Sequence, residues 1–78
     1  MPLDAADKTT LDALVDRFTY HPPSATQIPK YQELRAKALE LAALIVQHCP
    51  SSAERSSALS NLDVTVMLAN AAIARHDR

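Results

Sequence analysis

Two long runs of aliphatic and alanine residues are interrupted once, at His48-Cys49-Pro50-Ser51-Ser52, and the chain has no glycine anywhere. That single break constrains the fold more than any other feature. Pro50 disfavours helix at the residue before it, so a helix reaching His48 has to stop there. The "SSAE" that follows can start another helix, with Ser51 as N-cap and Glu54 three residues on as a capping box. Helix, three- or four-residue break, helix is the pattern of an antiparallel helical hairpin. Without glycine, positive-φ turns fall to asparagine or are avoided. Few β-branched and aromatic residues remain to build a sheet, so the expected class is all-α.

Hydrophobic spacing fills in the elements. A first helix is expected over residues 4–17, where Leu11, Leu14, Val15 and Phe18 make one apolar edge. Asp4 and Asp7 suit its N-terminal end, because carboxylates oppose the helix dipole favourably there. Residues 18–29 form a loop. The second helix is expected over 29–48, with Pro29 in the first turn and Tyr31, Leu34, Ala38, Leu41, Ile45 and His48 along one face. The third is expected over 51–75, with Leu59, Leu62, Val66, Ala69 and Ile73 in the same spacing. The whole chain is one domain, in which the short first helix is expected to fold back across the hairpin.

A second apolar set lies beyond those stripes. It comprises Leu39, Ala42 and Val46 on one helix, and Val64, Met67, Leu68, Ala71 and Ala72 on the other. A lone hairpin has one inner face, so this surplus calls for a further partner surface. Ala69, Ala71, Ala72 and Ala74 would let neighbouring helices approach closely. Asn70, polar among apolar neighbours, either fixes register between chains or lies exposed at a helix edge. Seventy-eight residues bury only roughly 60% of their unfolded surface as a monomer, which leaves stability marginal. The lone Cys49 cannot form an internal disulfide, and His21, His48 and His76 are too scattered for zinc. The expectation is therefore a homo-oligomer.

Composition also excludes activities. A net charge of −1 gives no general attraction to DNA or RNA. A helix-turn-helix reader would need a basic recognition helix, yet Leu59–Ala74 carries no Lys or Arg. The acidic, polar start resembles no signal peptide, and unbroken apolar stretches of about half a dozen residues fall short of the ~20 that span a bilayer. With an unpaired cysteine, this points to the cytoplasm. No reacting group has an evident activator. The serines at 51, 52, 56, 57 and 60 are explained by helix capping, and Cys49 beside His48 reads as a buried structural thiol. No catalytic residue, metal site or cofactor is expected.

One stretch departs from this pattern. Phe18–Ala38, "FTYHPPSATQIPKYQELRAKA", holds all three aromatic residues, three of five prolines and three of eight basic residues. Tyr20, His21, Pro22 and Pro23 offer flat, rigid surface on a loop, and such rings can stack on nucleobases. Lys30, Arg35 and Lys37 follow on the second helix, where a guanidinium grips phosphate through a fork and an ammonium adds a mobile charge. A structural reading stands beside this one, with Tyr20 capping a small core and Arg35 pairing with Glu33, Asp16 or a neighbouring chain.

Three segments, "FTYHPP" (18–23), "KYQELRAKALELAALI" (30–45) and "VMLANAAIAR" (66–75), together resemble the small bacteriophage anti-CBASS sponge family. The resemblance implies a hexamer of a short helix plus a helical hairpin that sequesters cyclic oligonucleotide signals without cleaving them. It places base stacking on Tyr20, with His21 and Pro22 beside it in the loop. It places phosphate binding on Arg35, with Lys37 as neighbouring candidate. It further implies a separate pocket for cyclic trinucleotides near a C-terminal basic residue, here Arg75. The alternative class is a helical interaction module that packs on a protein partner and takes no small ligand.

Overall fold

The computed structural model describes residues 4–77, and these form three helices and no strand. α1 spans Ala5–Phe18, α2 spans Ile28–His48 and α3 spans Ala53–His76. Each lies within about two residues of its sequence expectation, which is the ordinary latitude of helix ends.

Local chemistry explains each boundary. Asp4 caps α1, its Oδ1 accepting from the Asp7 N–H at 2.8 Å, and Arg17 faces the negative end of the dipole in the last turn. α2 carries Pro29 in its first turn and stops at Cys49, whose backbone is extended ahead of Pro50 and which, at the helix end, is exposed rather than buried as expected. The start of α3 corrects the sequence reading: the N-cap is Ser52, not Ser51. Ser52 Oγ accepts from the Arg55 N–H at 3.1 Å and also donates to the Pro50 carbonyl at 3.0 Å. The second serine alone can thus join the proline turn to the new helix. Glu54 falls one position short of closing a capping box, but stays in the first turn where its charge suits the dipole. Arg55 then donates to the Cys49 carbonyl at 3.1 Å, tying the end of α2 to the start of α3. No described residue has positive φ, so the hairpin turns without needing glycine.

α2 and α3 are the pair that packs along its length. The seam takes Tyr31, Ala38, Ala42 and Ile45 from α2, and Leu59, Leu62, Val66, Ala69 and Ile73 from α3, all half-buried. By length and mean hydropathy α3 would qualify to cross a bilayer, but here this seam holds it against α2. Among the described residues no hydrophobic side chain is fully buried. The accessible surface is 6327 Å², where a compact monomer of 8.5 kDa exposes about 4,650 Å². The radius of gyration is 17.7 Å, against about 11.5 Å for a compact chain of this length. The molecule is a slab of 56 × 33 × 14 Å.

α1 does not fold back across the hairpin as expected. Each of its described residues is exposed, and its apolar edge of Leu11, Leu14, Val15 and Phe18 remains open. Only its C-terminal half comes near α3, where Ala13, Asp16 and Arg17 share a groove with Arg75 and His76. The loop that follows α1 is anchored at its exit to the far end of α3 through Gln27.

The cap assignment is checkable by denaturant unfolding. Ser52→Ala is expected to cost about 1 kcal/mol, whereas Ser51→Ala changes stability by less than about 0.5 kcal/mol.

Candidate functional site

The loop between α1 and α2 is held at both ends. At its entry, His21 Nε2 lies 3.0 Å from the Asp16 carbonyl and 3.4 Å from its carboxylate. Pro22 and Pro23 then fix two successive φ angles. At its exit, Ser24 Oγ accepts from the Gln27 N–H at 3.2 Å while Gln27 Oε1 accepts from the Ser24 N–H at 3.1 Å. This reciprocal pair is a capping box on "SATQ", and it starts the turn that runs into α2. Tyr20 stands inside the entry tie, on the short segment between Asp16 and His21, and its side chain is 79% exposed. A ring so placed covers no core, which removes the structural reading of Tyr20. His21 is half-buried and engaged with Asp16, so the loop's open plate is Tyr20, with exposed Pro22 two residues on.

Arg35 sits on one broad face of the hairpin. It lines a groove of 410 Å³ with Pro23, Tyr31, Gln32, Asp63 and Asn70, and an adjoining apolar groove with Leu39, Ala42 and Leu59. Among the described residues it makes no ion pair, so pairing with Glu33 or Asp16 does not occupy it. The loop reaches this face through Pro23 rather than Tyr20. Lys37 lies across the seam on the opposite face, beside Leu34, Leu41, Thr65 and Ala69, because two residues along a helix turn about 200°. Its Nζ is 3.4 Å from Glu40. The fold therefore separates Lys37 from Arg35. Arg75 is apart from both, in a groove of 380 Å³ with Arg17, His76, Asp16 and Ala13. That groove brings two guanidiniums and an imidazole together with one carboxylate.

One polar group on the Arg35 face was not settled by sequence. Asn70 is half-buried, and its Oδ1 is shielded from solvent without a hydrogen-bond partner. It is not at an exposed edge. Gln27 was missed altogether, although the S-x-x-Q spacing ahead of an apolar run marks it as a capping residue.

A family model, Acb2/Tad1, hairpin domain, matches residues 11–74, more than four-fifths of the chain. The chain belongs to the Acb2/Tad1 family of anti-CBASS sponges. No curated protein and no solved structure matched. The Acb2/Tad1 segment takes in Tyr20, Arg35, Lys37 and Asn70, and it stops just before Arg75. It opens at Leu11, so the acidic first half of α1 lies outside it.

In an Acb2/Tad1 hairpin with an open apolar face, a shielded carbonyl such as Asn70 Oδ1 calls for a donor from outside the chain. Asn70→Leu is expected to lower the melting midpoint of the full-length protein at working concentration by about 4–8 °C, the equivalent of ~1 kcal/mol. A rise in the midpoint would show that the carbonyl stays unpaired.

Proposed function

We propose that this protein is a non-enzymatic phage sponge that binds cyclic dinucleotides between its own subunits and so keeps them from the host's CBASS effector. Family membership supplies the class, and the open Tyr20 ring on a doubly anchored loop carries the assignment. A cyclic dinucleotide has two bases and two phosphates related by exact or approximate twofold symmetry. A pocket astride a twofold axis supplies every residue twice. Two Tyr20 rings then flank the bases, and two Arg35 guanidiniums meet the phosphates. Pro22 holds the loop stiff, while His21 keeps it against Asp16. Lys37, on the other face, contributes at a neighbouring subunit or not at all.

Assembly comes first in this reading, and a hexamer is the state the resemblance implies. Leu39, Met67 and Leu68 stand exposed on the hairpin, with Leu39 at 72%. Covering such side chains stabilises association by about 25 cal/mol per Å² of apolar surface removed from water. The Arg75 groove is the candidate for a second ligand, a cyclic trinucleotide. Sequestration requires only that binding sites exceed signal, with no chemistry on the ligand. The setting is the cytoplasm of an infected bacterium, and neither DNA nor RNA is a partner. A helical module for protein partners is the competing reading, and the same exposed apolar face favours it.

Calorimetry against a panel of cyclic dinucleotides decides between them. Heat and a raised melting temperature are expected for the sponge, and neither for the protein-binding module. Tyr20→Ala is expected to weaken binding by about 30-fold or more, because each stacked base contributes ~1–3 kcal/mol and two rings are lost. Arg35→Ala is expected to abolish it, with subunit count unchanged in both variants. Ligand released by heat denaturation should be chemically intact; a linear product would establish hydrolysis instead. Leu39→Glu is expected to reduce the subunit count measured by light scattering, and an unaltered assembly would place the interface elsewhere.

A further inference from the structure

We propose that Gln27 is the positioning residue of the loop, and that its amide joins the segment carrying Tyr20 to the last turn of α3. The nucleotide part of this assignment rests on the function proposed above; the anchor itself does not. Gln27 is 5% exposed, the one buried polar side chain among the described residues, where no apolar side chain is buried. A buried amide in so open a molecule is costly unless both of its ends are satisfied. Both are. Oε1 closes the capping box with Ser24, three residues away. Nε2 donates to the Ile73 carbonyl at 3.3 Å and to the Asp77 carbonyl, 46 and 50 residues away.

Both acceptors lie at the C-terminal end of α3: the Asp77 carbonyl belongs to its C-cap residue, and the Ile73 carbonyl, which accepts from the Asp77 N–H at 3.0 Å, gains a second donor. One side chain thus ties the turn ahead of α2 to the end of α3. Lys30, one turn further along α2, pairs with the Asp77 carboxylate. Asp77 is therefore gripped twice, by its carbonyl and by its side chain. Asp77 lies beyond the segment that the family model matches, so this position has a task of its own. His21 is tied to Asp16 at the loop entry and Tyr20 lies on the short segment between them, so the exit tie at Gln27 sets where that segment sits relative to α3. Without the exit tie, the ring's position would depend on the entry alone. Fixing a loop in its binding conformation lowers the ordering cost of binding, which is how a residue remote from the ligand changes affinity.

The test uses the full-length protein and two substitutions. Gln27→Met keeps the volume and removes both ends of the amide; Gln27→Glu keeps the Ser24 acceptor and sets a carboxylate against two carbonyls. Amide hydrogen exchange over residues 19–27 is read beside affinity for a panel of 3′,3′-cyclic dinucleotides, with subunit count in parallel. Both variants are expected to speed loop exchange and to lower affinity about 10- to 100-fold, without change in subunit count. Removing residues 77–78 should reproduce the effect, which keeps the proposal testable if Gln27→Met does not fold. Loop exchange that stays at the native rate overturns the anchor. Faster exchange with undiminished affinity overturns the positioning role. A native protein that binds none of the panel defeats the nucleotide reading, while the exchange data still judge the anchor.

Discussion

A hairpin of two helices has one seam, and here that seam is too narrow to enclose a single apolar side chain completely. Every other property of the molecule follows from this shortage. The side chains that meet between α2 and α3 are half-covered, and polar ties at both ends of the pair add to them. Arg55 closes the turn onto the Cys49 carbonyl, and Gln27 and Lys30 close the open end onto Asp77. Stability that a larger domain would draw from its interior has to come from further copies or partners.

The same shortage organises the surface. Because a half-covered helix leaves its neighbours at i+1 and i+2 on different faces, the three basic candidates are distributed rather than pooled. Arg35, Lys37 and Arg75 each occupy a different groove. In a monomer that would argue against any concentrated anion site. In a symmetric assembly it has the opposite meaning, since repetition about an axis collects what one chain scatters. Membership of the Acb2/Tad1 family gives that geometry a biological context, and the exposed loop ring gives it a chemical one.

Much of this was legible in the sequence, and the exceptions have physical causes. Period-3.6 spacing located all three helices, because each has a strong stop or start: Asp4, Pro29 and Pro50 act through backbone geometry that neighbours cannot override. Placing the α3 cap on Ser51 failed because two adjacent serines compete, and only the hydrogen bond to the Pro50 carbonyl favours the second. The position of α1 was not legible, since its apolar edge stays open and its approach to α3 is made by polar residues, Asp16 and Arg17 beside Arg75 and His76. At the site, Tyr20 and Arg35 stood out by residue type alone. Gln27 did not, because a capping glutamine looks like any polar loop residue until its second set of partners is known.

The backbone of the described residues never enters the left-handed region, even through a nine-residue loop and a tight inter-helix turn. No position is therefore reserved for glycine, and no conformational strain is stored where the candidate ligand contacts lie. Side chains on the loop can be exchanged without asking the main chain to refold. A lineage facing a changed host messenger could retune Tyr20 or its neighbours one substitution at a time, on a scaffold indifferent to the swap.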